Sequence, residues 1–323
     1  MESLSIFIST MSSSVLPLFL IIALGFVLGR WRPFDVNTLS SILLYVATPA
    51  TLFLQLYEAE LDPSLLSVFA FTLLYPAGCG LVAYCAARLF PSARGETTVL
   101  VSQQMYINEG NFGLPLLMLV FSGAYYTGAG GNPYLAPVIT AHTIVMCVQG
   151  VLPNTLGLVM LTDERPTLRA VLARITRLPV LYVAPAALLA KLIPMDLSGC
   201  FFWPSLEYLR SIMIGLSLLT IGIQFASQKM RLPDGKVLLS IFLRFIVGPC
   251  IAFPIIRLLG LGGAVAQALF IGSAVPTALT VLFLCIECKR NAEYSSQVIL
   301  YSMLLCPFML TFVVSLARRL FPL

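Results

Sequence analysis

Charge is scarce in this sequence. Only 10% of its 323 residues are Asp, Glu, Lys or Arg, against 59% hydrophobic residues and a mean hydropathy of +0.95. Water-soluble domains run nearer a quarter charged, so the composition excludes a water-facing globule and suits a lipid solvent. Histidine is nearly absent, His142 being the single one, which rules out an HExxH zinc site. Aspartate avoids the middle of every apolar run: Asp35, Asp62, Asp163, Asp196 and Asp234 all fall near links. A pair of buried aspartates for intramembrane proteolysis is therefore missing. So is a phosphate-cradling glycine loop, and ATP does not drive such a protein directly. None of these features reads as an enzyme, and no cofactor is called for.

Long apolar runs fill the chain instead. A membrane-spanning helix takes about 20 apolar residues. Ten such runs are read at 8–29, 37–57, 64–90, 97–121, 134–160, 178–195, 203–225, 236–259, 264–286 and 295–317, numbered here as spans 1 to 10. The links at 122–133 and 161–177 are too short to fold as domains. Glu2 stands where a signal peptide would be basic, and the first run outlasts a typical signal core, so span 1 is read as a retained helix. The eight cysteines lie mostly inside apolar runs and read as small buried apolar residues. "CIEC", from Cys285 to Cys288, lacks the second ligand pair that a metal site requires.

Charge placement sets the orientation. The links after the odd-numbered spans hold 13 basic residues: Arg30, Arg32, Arg88, Arg94, Arg165, Arg169, Arg174, Arg177, Lys229, Arg231, Lys236, Lys289 and Arg290. The other links and the termini hold four: Lys191, Arg257, Arg318 and Arg319. By the positive-inside rule the odd links are cytoplasmic and both termini lie outside. The net charge of +5 thus reflects membrane-flanking residues and gives no reason to expect a nucleic-acid partner.

Ten spans divide into two sets of five, and an odd-numbered unit repeated in tandem enters the membrane in the opposite sense the second time. The expected organisation is a first five-helix repeat over 1–160, a cytoplasmic link over 161–177 and a second repeat over 178–323. Pro115 in span 4 and Pro276 in span 9 stand 161 residues apart, half the chain. An internal proline lacks the N–H that would bond the carbonyl four residues earlier, which here frees the carbonyls of Asn111 and Gly272. Gly110 and Gly113, or Gly272 beside Ser273, weaken each helix further. Broken helices leave unpaired backbone groups that tolerate only protein or a wet cavity around them. The start of a half-helix attracts anions, so two such breaks meeting near the midplane would frame a small-anion site. A plain proline kink filled by neighbouring side chains is the alternative.

The stretch "INEGNFGLPLLM" (107–118) resembles the span-4 signature of the auxin efflux carrier family, in its bacterial and plant members, aligning on Asn108, Gly113 and Pro115. Further resemblance runs in order along the chain. "LLYVATPATLFLQL" places Pro49, "LPNTLGLVML" places Asn154 and Gly157, "LRFIVGP" places Arg244 and Pro249, and "GSAVPTALTVLFLCIE" places Pro276 and Thr277. The resemblance implies an all-α polytopic membrane protein. Its ten helices form two inverted five-helix repeats, with helices 4 and 9 crossing at their prolines, and transport is of the elevator type. It also implies a carboxylate site at that crossing. Carried over, this nominates Asn108, Asn111, Gly113, Pro115, Val275, Pro276, Thr277 and His142 as substrate-binding residues. The plant members' long cytoplasmic loop has no counterpart in the short 161–177 link.

Glu109 departs from the family pattern, which has a small residue there. A carboxylate inside a membrane is a functional candidate by default. It could take up a proton during transport, pair with Arg210, Arg244 or His142, or stand neutral and hydrogen-bonded. An ionised Glu109 would repel an anion beside it. Asn108 and Asn111 share one helix face by spacing. His142 and Gln149 of span 5 border the implied site. Arg244 could offset an anion or a helix C-terminus but is read as part of a scaffold segment, Arg210 as a residue near the outer end of span 7, and Gln103 and Gln104 as lining a cytoplasmic vestibule. The expectation is a plasma-membrane secondary transporter exporting a small organic anion such as a carboxylate. Its partners are that anion and the lipid bilayer, and a homodimer is compatible with it. A sodium- or proton-coupled symporter of the bile-acid type, or a non-transporting sensor on the same fold, are the alternatives.

Overall fold

The computed structural model describes residues 11–60, 62–89, 94–128, 131–162 and 166–323. Glu2, the start of span 1, Asp163 and Arg165 lie outside the described residues. The described chain is helical throughout: α1 Leu16–Trp31, α2 Val36–Glu58, α3 Leu65–Leu89, α4a Arg94–Met105, α4b Glu109–Phe121, α5 Leu135–Leu161, α6 Val180–Ala190, α7 Trp203–Ala226, α8 Gly235–Leu258, α9a Gly263–Gly272, α9b Leu279–Glu287 and α10 Ala292–Leu320. Among the described residues six helices are long and apolar enough to cross a membrane (α2, α3, α5, α7, α8 and α10). A seventh span is formed if α6 is joined to the short helix before it across a 55° bend. Breaks in spans 4 and 9 were expected, and both are present. Spans 4 and 9 each divide into two half-helices, and the described part of span 1 is a shorter apolar helix.

Prolines shape the long helices without stopping them. In α2, α4b and α8 the amide just before a proline reaches back five residues instead of four: Thr48 to Leu43, Leu114 to Glu109 and Gly248 to Leu243. The proline ring would press on the carbonyl four residues earlier. One wide turn moves that carbonyl aside and lets the helix continue through Pro49, Pro115 and Pro249. This corrects the reading of Pro115 as the break in span 4.

Helix packing separates two sets. In one, α1 lies along α7, and α2 lies against both α6 and α7. In the other, α3 packs on α4a, α5 and α8, while α10 packs on both halves of α9. The α1–α7 contact is a backbone-to-backbone approach made by glycine. A Cβ added at Gly222 would stand 2.0 Å from the Ile22 carbonyl oxygen, and one at Gly25 would stand 2.3 Å from that of Leu219. Small residues that let helices touch are a main source of association in lipid, where apolar side chains gain little by leaving the hydrocarbon. Leu66, Phe69 and Leu73 of α3, and Phe308 and Phe312 of α10, point outward, as suits a surface facing acyl chains.

At the end carrying the arginine-rich links, the short helix Leu168–Ile175 presents Arg174 to the last residue of α9b. Its guanidinium grips Glu287 through two bonds of 2.6 and 2.9 Å and reaches Asn154 Oδ1 at 3.3 Å. Hydrogen bonding from Arg174 holds the Glu287 carboxyl below its ordinary range. Stabilisation from a lowered carboxylate is present above the ordinary range and disappears as the pH falls through the lowered value. Both side chains are partly exposed, so the pair contributes about 0.2–1 kcal/mol. Arg174→Met is expected to lower stability by that amount at neutral pH and to match the parent in acid. A pH series of denaturation in detergent measures this, and a constant offset at all pH values would contradict it.

Candidate functional site

Two helices stop where they meet. Residues 106–108 separate α4a from α4b, and residues 273–278 separate α9a from α9b. The amide of Asn108 donates to the Pro276 carbonyl (2.9 Å), and the amide of Ala278 donates to the Tyr106 carbonyl (3.1 Å). Ile107 and Thr277 therefore form an antiparallel bridge, a two-rung ladder between unwound segments. Backbone groups that lipid would leave unpaired are satisfied by each other. In span 9 the break coincides with Ser273 and Pro276, residues that weaken a helix. In span 4 it contains no proline or glycine. Asn108 starts α4b there, its carbonyl accepting from the amides of Phe112 (3.3 Å) and Gly113 (2.9 Å). The expected crossing of two prolines is thus half right. Pro276 lies in the ladder, whereas Pro115 lies further along an intact α4b.

A cavity of about 180 Å³ opens beside the ladder. The starts of α4b (Asn108, Glu109, Gly110, Asn111) and of α9b (Leu279, Thr280) line one side, with Met146, Gln149 and Gly150 of α5. Leu44, Thr48, Pro49 and Leu52 of α2 and Val180 of α6 line the other. It therefore lies between the two helix sets. First-turn amides of a helix have no partner within it and carry partial positive charge. Asn108 Nδ2 and Gln149 Oε1 are buried without a hydrogen-bond partner, and the Asn108 side chain does not cap α4b. Buried amide atoms left unpaired in a cavity are what a polar ligand would complete.

Of the nominated residues, Asn108, Glu109 and Asn111 line this cavity. Val275 is fully buried in the α9 break, and Thr277 Oγ1 donates to the Gln103 carbonyl at 3.3 Å. Gly113, Pro115, Val275, Pro276, Thr277 and His142 are absent from the cavity wall. Val275, Pro276 and Thr277 lie in the α9 break itself, whereas Gly113 and Pro115 lie further along α4b. Spacing had no means of finding Thr48, Val180 and Thr280, because the wall they share comes from three separate helices.

Glu109 pairs with His142, one of the three partners anticipated. His142 Nδ1 stands 3.3 Å from Glu109 Oε2, and Nε2 stands 3.1 Å from the Glu109 backbone carbonyl, with both residues buried. The carboxylate folds back over Gly113, where an added Cβ would meet Oε2 at 2.4 Å, and it lies against Gly272, where a Cβ would meet Oε1 at 3.3 Å. These glycines make room for the side chain. Gly113→Ala is expected to cost about 1–3 kcal/mol, and much less in a Glu109→Ala background. A double-mutant cycle on melting temperature reads that coupling. Additive costs would mean that some other group fills the space.

Of the roles open to Arg244, the structure bears out the one at a helix C-terminus. It is 1% exposed, behind the crossing, and its Nη2 donates to the Gln103 carbonyl in the last turn of α4a. A cation there suits the partial negative charge of a helix C-terminus. Gln103 and Gln104 are likewise buried, Gln104 donating to the Ser240 carbonyl, so neither lines a vestibule. Arg210 does sit at the end of α7 near Glu58, pairing with it at 2.7 Å and with Glu207 at 2.6 Å.

Comparison with known proteins agrees with this architecture. The chain is 23% identical over 301 residues to an uncharacterised transporter of Methanothermobacter thermautotrophicus, covering 91% of this chain and 94% of that protein. It is 21% identical over 279 residues to an uncharacterised transporter of Methanocaldococcus jannaschii, covering 84% and 87%. The family model described as "membrane transport protein" matches twice, over residues 10–171 and 164–314. Matched along nearly its whole length, and helical with apolar spans on both sides of a crossed pair of broken helices, the chain belongs to this membrane transport protein family, that of the auxin efflux carriers, and is a multi-pass membrane transporter.

Proposed function

We propose that the protein carries a small organic anion, of the carboxylate class, by alternating access. The observation that carries this reading is the cavity at the crossing, where the first turns of two half-helices meet the unpaired amide of Asn108. Asn108 donates to the carboxylate, the α4b and α9b amides supply the positive field, and Thr48, Val180 and Met146 close the pocket around its apolar part. A cavity of about 180 Å³ is similar in size to one that takes a single benzene ring, which favours a compact anion.

The packing supports an elevator movement in which α3, α4, α5, α8, α9 and α10 travel together past α1, α2, α6 and α7. The cavity lies on the boundary between these sets. The partnership of α1 with α7 mirrors that of α6 with α2, the exchange that a two-fold axis relating inverted halves would produce. The cavity is walled by Gln149, Gly150 and Val180, next to the arginine-rich link, so by the positive-inside rule it opens to the cytoplasm of a cell membrane with both termini outside. Among the described residues Glu109 has no cluster of carboxylates beside it of the kind that a sodium-coupled rival would use.

The test is a screen of short mono- and dicarboxylates in proteoliposomes, read as uptake and as current, with and without sodium. Saturable transport of at least one carboxylate, unchanged by removing sodium, is expected. Transport restricted to cations or neutral solutes would overturn the anion reading, and strict sodium dependence would favour the symporter.

A further inference from the structure

His142 and Glu109 face each other in a way that fixes how many protons they hold. The Glu109 backbone carbonyl can only accept a hydrogen bond, so His142 Nε2, 3.1 Å away, carries hydrogen and donates to it. A neutral imidazole with hydrogen on Nε2 has a bare, accepting Nδ1. That nitrogen stands 3.3 Å from Glu109 Oε2, which is buried and makes no hydrogen bond in this arrangement. With an ionised carboxylate, two lone pairs would then oppose each other in a buried site. One proton between them, on either atom, converts the opposition into an attraction. Two protons, one on each, would instead leave a buried net positive charge on the pair.

The surroundings suit a proton store. Behind the pair lies a separate pocket of about 10 Å³, bounded by Thr72, Tyr75, Glu109, His142, Gln149 and Ser273. That is the scale of one water molecule. Glu109, with Ile107 and Gln149, borders both this pocket and the larger cavity. The ionisable groups within electrostatic reach of the carboxylate are Tyr75 of α3, which shares this pocket, and Arg244 of α8; Cys79 of α3 lies beside Tyr75. In α7 and α9b the ionisable side chains sit towards the helix ends, at Glu207, Tyr208 and Arg210 and at Cys285 and Glu287.

We infer that Glu109 and His142 form a single-proton site that is loaded together with the substrate. Loading takes one proton from water, and unloading returns it; no electron moves. Loaded, the pair is neutral. Unloaded, it places a negative charge at the start of α4b, where the anion binds. Proton and anion therefore favour each other's binding, and the coupling is reciprocal. Both residues belong to α4b and α5, so the proton travels with the anion-carrying unit. The proton site stands on this geometry, whereas its coupling to an anion rests on the function proposed above.

His142 is the only histidine in the chain, so its ring nitrogens can be observed without overlap. The protein is labelled with ¹⁵N-imidazole histidine, reconstituted in lipid nanodiscs and titrated between about pH 5 and pH 8. The expected spectrum shows a protonated Nε2 and a hydrogen-bonded Nδ1 whose shift follows the loading of the pair. In Glu109→Gln, whose amide donates permanently to Nδ1, that pH response is lost. Hydrogen on Nδ1 with a bare Nε2, or a titration identical in wild type and Glu109→Gln, would overturn the proton site.

A second arm measures radiolabelled propanoate and malonate counterflow over the same pH range. Wild-type exchange is expected to rise on acidification, while Glu109→Gln exchanges at a rate independent of pH. A wild-type profile retained in Glu109→Gln would overturn the coupling. If neither protein carries either probe, the proposed substrate class fails, while the imidazole spectrum still decides the proton site.

Discussion

Asn108→Ala is expected to weaken binding of the transported carboxylate by about 10- to 150-fold without unfolding the protein. A hydrogen bond to a charged group contributes about 1.5–3 kcal/mol, and Asn108 Nδ2 has no other partner. The crossing is held by the backbone of Asn108, through its amide to Pro276 and its carbonyl to Phe112 and Gly113. Alanine keeps all of those bonds. Melting temperature should therefore move little while apparent affinity falls, and this separates a binding role from a structural one. Affinity equal to wild type, measured on the carboxylate selected in the transport screen, would remove Asn108 from the site. A fall in melting temperature matching the loss of transport would make it structural instead. Glu109 adjoins the same cavity, so the two substitutions should not combine additively.

Gly222→Ala should be among the most damaging single methyl groups that can be added to this chain. Its Cβ would lie 2.0 Å from the Ile22 carbonyl oxygen, 2.7 Å from the Phe26 nitrogen and 2.9 Å from the Gly25 carbonyl carbon. Those atoms are backbone in the middle of α1, so no side chain can swing away. One helix has to shift along its length, at a cost of about 3 kcal/mol or more. Gly215 lies on the same helix α7 with nothing within 4 Å of an added Cβ. Gly215→Ala is therefore neutral or stabilising by up to about 1 kcal/mol. Thermal unfolding of both variants in detergent should separate them widely. Equal melting temperatures would show that α1 and α7 do not approach as closely as described. Because α1 and α7 form half of the set against which the other helices are proposed to move, the folded fraction of Gly222→Ala should also transport poorly.

Much of this protein is legible in its residues because lipid leaves few solutions. A chain that is 10% charged and 59% hydrophobic suits lipid rather than water, and a membrane requires backbone groups to be paired internally, which long apolar runs achieve as helices. Solvent, secondary structure and the general position of the spans follow from those two facts. Basic residues add an orientation, and the ordered motifs add a family. The break in span 9 has a local contribution, since Ser273 and Pro276 both weaken a helix, although Pro49, Pro115 and Pro249 are carried through theirs.

The remainder is settled by contacts between segments far apart in the chain. Pro115 looked like a break, yet one wide turn at Glu109–Gly113 absorbs it. The true break at residues 106–108 has no helix-breaking residue, because its unwound backbone is stabilised by Pro276 and Ala278 across the crossing. Glu109 had three candidate partners in sequence. The tertiary structure chooses His142 by bringing α5 against the start of α4b, and Gly113 and Gly272 leave the space that the carboxylate occupies. Arg244 reads locally as one residue of a scaffold helix, but the fold turns it onto the end of α4a. Sequence thus determined the solvent and which residues are chemically unusual. Which of them meet was decided by the close approach of distant helices, which no local pattern encodes.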